Sequence, residues 1–211
     1  LQVATDSVFS LLVVNDSTIQ DTSRQIGPLA DTTKYYWRVR PLNQQGAGPF
    51  TAARSFSTAL SSTAYHLMKS WNLISLPLNV EDGRTIIVFP SAVSPAFVHD
   101  PSTGYEAKDT LLPGVGYWVK FAESTTVGIT GSVRPIDTID VVAGWNMIGS
   151  LSTPVHVDSV IQEPQGIIIS DYFDYGGIYQ SVTVLEPARG YWVKSGAPGR
   201  IILHAEGIIR R

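Results

Sequence analysis

Gly116-Tyr117-Trp118-Val119-Lys120 returns unchanged as Gly190-Tyr191-Trp192-Val193-Lys194, 74 positions further on. Carrying that offset back along the chain brings Trp71-Asn72 onto Trp145-Asn146, Pro90 onto Pro164 and Asp100 onto Asp174, with no gap. It also matches Tyr105 to Tyr179, Leu111 to Leu185 and Pro113 to Pro187. A period of this size, present twice, marks one structural unit that was duplicated. The shared residues are aromatic, branched apolar, glycine and proline. Those types build cores and turns; they do not move protons.

Within the pentapeptide, period-2 alternation sends Tyr117 and Val119 to one face of a strand and Trp118 and Lys120 to the other. Tyr191 and Val193 oppose Trp192 and Lys194 in the same way. A large aromatic on each face fits a strand covered on both sides, or one at the seam between copies. The expected arrangement has Trp118 and Trp192 packed at a pseudo-twofold interface, with the Lys120 and Lys194 stems lying over them. The competing reading makes the same four residues a sugar-stacking platform, an aromatic face beside a polar donor. Trp71 and Trp145 open strands whose other residues are apolar, so both are expected in the core. Gly116 and Gly190 are assigned to tight turns in which a Cβ is not tolerated. Asp100 and Asp174 end strands before glycine-containing turns, and their carboxylates are expected to accept turn N–H groups.

Each copy reads as an opening strand (Trp71–Pro77; Trp145–Gly149), then a segment with helical spacing (Asp82–Phe89; Val157–Glu163). Asp82 and Asp158 are the candidate caps. Strands ending at Asp100 and Asp174, strands at Tyr105 and Tyr179, the pentapeptide strand and a last strand (Thr126–Thr130; Arg200–Leu203) complete the unit. Ile136–Val142 bridges the copies and is itself β-like. Residues 1–59 read as short strands separated by turns. Phe9–Val14 is a β-prone run closed by Asn15-Asp16-Ser17. Alternation places Tyr35, Trp37 and Val39 on one face, with Tyr36, Arg38 and Arg40 on the other. Gly46 and Gly48 supply a hairpin and Ala52–Thr58 the returning strand.

Leu29 followed by Tyr35-x-Trp37-x-Val39, then Asn43, Gly46, Gly48 and Ser55-Phe56-Ser57-Thr58, resembles the later two-thirds of a fibronectin type III domain. That resemblance implies an immunoglobulin-like sandwich in which Tyr35 is the corner tyrosine, its hydroxyl bonded back to the backbone. It also implies that the first two strands of such a domain are missing, leaving an open edge for another copy of the chain or another domain. Trp71-Asn-Leu-Ile-Ser-Leu-Pro77 and Gly-Tyr-Trp-Val-Lys resemble a repeat of bacterial and archaeal secreted or surface proteins, over residues 66–205. The resemblance implies an appendage beside other domains and says little of function.

The fold class expected is therefore mostly β. It comprises a partial sandwich (1–59), a short polar linker (60–65) and a duplicated, pseudo-twofold domain with short helices (66–211; units about 66–134 and 135–205). The chain does not begin with Met and is read as a piece of something longer. A net charge of −3 gives no reason to expect nucleic acid as partner, and no apolar run reaches the ~18 residues of a membrane span. No cysteine is present, which removes disulfide and thiolate chemistry. His66, His99, His156 and His204 show no metal-ligand spacing, and Asp100–Glu106 lacks the regular acidic spacing of a calcium loop. Glu163 and Glu186 have no counterparts in the other copy. Asn15-Asp16-Ser17 fits a glycosylation tripeptide, a weak signal. No metal, cofactor or catalytic residue is expected. The expected function is a non-catalytic accessory, spacer or adhesion module of a larger exported bacterial protein, placed outside the cell or on its surface. Its partners would be neighbouring domains of the parent chain, a polysaccharide, or a second copy. The alternatives are a carbohydrate-binding module using Trp118 and Trp192, and a fragment of a secreted hydrolase.

Overall fold

A computed structural model describes residues 1–24, 26–27 and 29–205; the basic pair Arg210-Arg211 lies outside them. Strands hold about 50% of the residues and helix about 3%, so the protein is mostly β, with antiparallel sheets throughout. No helix among the described residues is long and apolar enough to cross a membrane. The chain divides into two compact units, Leu1–Leu60 and Ser61–Arg211.

In the N-terminal unit, β1 (Gln2–Ala4), β2 (Leu12–Asn15), β3 (Lys34–Arg38), the tiny hairpin β4 (Leu42–Asn43) and β5 (Gly46–Ala47), and β6 (Arg54–Ser57) follow one another. They form a four-stranded sheet of order β2-β1-β3-β6, with β4 and β5 paired apart. The expected faces are present. Tyr35 is buried and stacks on Phe56 at 5.5 Å, and its hydroxyl accepts the N–H of Ala30 at 2.9 Å. On the opposite face the Arg38 guanidinium lies between the rings of Phe9 (3.9 Å) and Phe50 (4.0 Å), while its Nε–H reaches Gln2 Oε1 at 2.9 Å. The run expected to start a strand at Phe9 starts one only at Leu12. The Asp6 carboxylate accepts the N–H groups of Val8, Ser10 and Leu11, which closes a turn and holds Phe9 at φ 62° with its ring buried.

The C-terminal unit opens with β7 (Ser61–Leu67), β8 (Ser70–Ile74), β9 (Leu78–Asn79), α1 (Thr85–Val88), β10 (Ala96–Asp100), β11 (Gly104–Lys108), β12 (Tyr117–Phe121) and β13 (Thr125–Val133). Its second half runs β14 (Ile136–Val141), β15 (Gly144–Ile148), β16 (Val155–His156), a 3-10 turn (Val157–Ser159), β17 (Ile161–Glu163) and β18 (Tyr172–Tyr175). It ends with β19 (Tyr179–Val182), β20 (Val184–Leu185), β21 (Tyr191–Ser195) and β22 (Gly199–His204). Sheet β11-β10-β12-β8 matches β19-β18-β21-β15, and the pair β7-β13 matches β14-β22. Each half buries its own apolar core, one around Leu76, Phe89, Val119 and Phe121, the other around Leu151, Leu185, Val193 and Leu203.

Three expectations need correction. Residues 61–65 of the expected linker belong to a strand: β7 starts at Ser61 and pairs with β13 from Leu67–Thr125 out to Ser61–Gly131, where polar β-compatible residues suit an exposed strand. The second helical segment is one 3-10 turn, after which Ile161–Glu163 pairs with β22, an edge that β-branched Val160 and Ile161 favour over helix. Neither aspartate caps a helix. Asp82 instead accepts the Arg84 N–H and grips its guanidinium, and the 3-10 turn is preceded by His156 as its N-cap residue, with no side-chain cap bond.

The gap-free offset also fails locally. Trp118 pairs with Phe97 and Trp192 with Phe173, whereas an offset of 74 would bring Phe97 to Asp171. Ser94 Oγ accepts the Lys120 N–H at 2.9 Å and Ser170 Oγ the Lys194 N–H at 2.8 Å, the same two-residue slip. The register returns at Tyr105 and Tyr179, because the turn between Tyr175 and Tyr179 is two residues shorter than the one between His99 and Tyr105. Asp100 and Asp174 are thus not equivalent; His99 and Tyr175 are.

Candidate functional site

The two halves of the C-terminal unit meet through their backbones in a reciprocal pattern. Gly116 N–H donates to Met147 O (3.2 Å) and Gly190 N–H to Leu73 O (3.0 Å). Gly149 N–H donates to Gly114 O (2.8 Å) and Ser75 N–H to Ala188 O (2.9 Å). Each bond becomes the other of its pair when the halves are exchanged, the signature of an isologous contact. The approach is so close that a Cβ on Gly190 would lie 2.8 Å from Ile74 O and 3.2 Å from Gly116 Cα, and one on Gly116 would lie 2.8 Å from Ile148 O. Both glycines are required by proximity rather than by a left-handed turn.

Beside this axis Leu73, Trp118, Met147 and Trp192 form a small core of their own. The two hairpins cover it crosswise. Tyr175 and Tyr179 of the second half lie edge-on to Trp118 at 4.8 and 6.4 Å. His99 of the first half lies 5.0 Å from Trp192 and 5.5 Å from Tyr105. Trp118 and Trp192 are consequently buried, 9% and 8% exposed, which agrees with the seam reading and leaves no platform on those two rings. The lysines do not lie over them. Lys120 Nζ stands 5.8 Å from the Trp71 ring and Lys194 Nζ 6.0 Å from the Trp145 ring.

Trp71 and Trp145, expected in the core, are 36% and 40% exposed. Residues adjacent on a strand take opposite faces, so with Leu73 turned into the seam, Trp71 lies at the rim of that same face near the strand's outer end. There it makes edge contacts with Phe97 (6.0 Å) and Trp118 (6.5 Å), and Trp145 repeats them with Phe173 (6.0 Å) and Trp192 (6.2 Å). Trp71, Phe97, Tyr105, Trp118, Tyr175 and Tyr179 together line a groove of about 510 Å³ between the two halves. The sequence reading missed Phe97, Phe173, Tyr175 and His99 because the slip hides their equivalence. The recurrence of Tyr105 as Tyr179 was the one available signal.

The tyrosines of the pentapeptides face inward. Tyr117 OH accepts the Leu112 N–H at 3.0 Å and Tyr191 OH the Glu186 N–H at 2.6 Å, each five residues back, as Tyr35 does to Ala30. Burial pushes both phenols above their ordinary value. Asp100 behaves as expected: it accepts the hydroxyl and N–H of Ser102 and the N–H of Thr103, which hold its pKa down to about 2. Asp174 does not. It stands mid-strand, and its Oδ2 pairs with Arg189 at 2.8 Å while its buried Oδ1 makes no hydrogen bond.

Glu163 pairs with Arg200, and Glu106 with Lys108 and Thr103. No group of three acidic or histidine side chains among the described residues is placed to hold a metal ion. Arg134, buried, pairs with Asp137 and donates to Leu76 O at 2.8 Å, stitching the junction of the halves. No family model, curated protein or solved structure matches the chain.

Proposed function

We propose that the chain is a non-catalytic accessory module of a larger exported bacterial protein, in which the doubled unit acts as a rigid spacer. The observation that carries this reading is where the duplicated residues go. Gly116, Gly190, Trp118 and Trp192 all join the two halves to each other, through reciprocal backbone bonds and a shared aromatic core. A seam of that kind resists bending between the halves and couples their unfolding. Support for an extracellular or surface setting comes from the resemblance of the repeats and of residues 1–59 to modules of secreted proteins. Adhesion through the free edge of β2, where Leu11, Leu12 and Val13 are exposed, belongs to the same proposal.

The test is cooperative unfolding. Trp118 and Trp192 report the seam by fluorescence, and differential scanning calorimetry reports heat uptake. One transition shared by both halves of the C-terminal unit is expected. Two separate transitions there would sink the rigid-spacer reading, and turnover in a panel of glycoside, peptide and ester substrates would sink the non-catalytic one.

A further inference from the structure

The groove between the halves goes beyond a spacer's needs. Tyr105 and Tyr179 are 55% and 54% exposed and Trp71 is 36% exposed, although a packed seam needs none of these rings at the surface. They are held in place by edge-to-face contacts, so a ligand meets surfaces that need little reordering. The lining is an aromatic floor that carries the phenol groups of Tyr105, Tyr175 and Tyr179, and beside it the Lys120 ammonium stands 5.8 Å from the ring of the lining residue Trp71. That pairing of flat apolar face and hydroxyl-seeking rim suits a sugar ring, whose C–H face is apolar and whose edge carries hydroxyls. Its volume, about 510 Å³, falls within the range of ligand-binding clefts.

The lysines narrow the class of sugar. Lys69 and Lys108 each hold a carboxylate, Glu123 and Glu106. Lys120 and Lys194 have no ion-pair partner among the described residues, yet each stands over an exposed indole. The pair Trp71/Lys120 and the pair Trp145/Lys194 occupy the same place in the two halves, so the ammonium-over-indole element occurs twice. We infer that the groove binds an anionic polysaccharide, with sugar rings stacked on Trp71, Tyr105 and Tyr179 and a ligand carboxylate or sulfate met by Lys120. The second pair, Trp145 and Lys194, gives a polymer another point of attachment, which raises its avidity without new chemistry. A net charge of −3 means that long-range attraction does not act alone; the rings must contribute.

The experiment titrates the whole chain with polygalacturonate, dextran sulfate, neutral dextran and a polyproline peptide, reading tryptophan fluorescence and calorimetric heat. Binding of polygalacturonate or dextran sulfate is expected, weakening as salt rises, and the two polymers separate a carboxylate ligand from a sulfate one. Trp71→Ala and Lys120→Gln should each weaken it about tenfold or more in a chain that still unfolds cooperatively, and Lys120→Gln, at an exposed side chain, should leave the melting temperature little changed. Trp71→Phe should recover part of the loss. Several outcomes overturn the inference: no binding of either polyanion, equal binding of neutral dextran, preferred binding of the polyproline peptide, or polyanion binding that ignores Trp71→Ala.

Discussion

Replacing Gly190 by alanine tests the seam at its tightest point. The added Cβ would sit 2.8 Å from Ile74 O, 3.1 Å from Leu73 Cγ and 3.2 Å from Gly116 Cα, and two of those neighbours are backbone. Leu73 can turn aside, but Ile74 O and Gly116 Cα move only if the strands part. Overpacking of this kind costs about 1–3 kcal/mol. Parting the strands also stretches the bonds Gly190 N–H to Leu73 O and Ser75 N–H to Ala188 O, each contributing about 0.5–1.5 kcal/mol net. The lower entropy of alanine in the unfolded chain returns about 0.4–1 kcal/mol. The sum is a loss of about 1–6 kcal/mol, centred near 3, which at its centre lowers the melting temperature of a domain of this size by roughly 5–15 °C. Urea unfolding followed by tryptophan fluorescence measures it. Gly116→Ala should behave alike, since its Cβ would meet Ile148 O at 2.8 Å. The double variant should lose less than the sum of the two, because the sites touch and the first substitution already opens the contact. Stability within about 0.5 kcal/mol of the parent for both single variants would refute the reciprocal seam.

Three further outcomes follow from the same geometry. Trp118→Ala should cost about 3–5 kcal/mol by removing a buried ring, while Trp71→Ala at the rim, where the ring is partly covered, should cost about 1–3 kcal/mol; a larger loss at Trp71 than at Trp118 by thermal unfolding would contradict the two environments. Ala188, held at φ 64°, takes the place that Gly114 (φ 77°) fills in the other half, so Ala188→Gly should stabilise by about 0.5–1 kcal/mol in urea, and a loss would remove the strain argument. Hydrogen bonds from Ser102 and Thr103 hold Asp100 at about pH 2, below its unfolded value near 4, so its contribution is present above pH ~4 and disappears as pH falls through about 2. Asp100→Asn should flatten that portion of an acid-unfolding profile, and an unaltered profile would show that the turn does not depend on the charge.

Much of the fold was legible because β-structure writes its period into the chain. Tyr35-x-Trp37 and Tyr117-x-Val119 announced which residues share a strand face, and both tyrosines are buried. The groove was far less legible. Its rings come from both halves, and two of its equivalences, Phe97 with Phe173 and His99 with Tyr175, are displaced by a slip that the matching aspartates concealed. Trp71 and Trp145 misled for a related reason. An apolar residue type on a strand states which face it takes, but not whether the end of that face is covered.

The duplication and the strand faces were determined by the amino-acid sequence, since they depend on local spacing and residue type, whereas the crowding that leaves no room for a Cβ on Gly116 or Gly190 comes from the other half. Tertiary structure alone decided which hairpin covers which tryptophan, and that the lysines stand over Trp71 and Trp145. The physical reason is that solvent exposure and lateral register are set by contacts between segments far apart in the chain, and a one-dimensional period carries no measure of either.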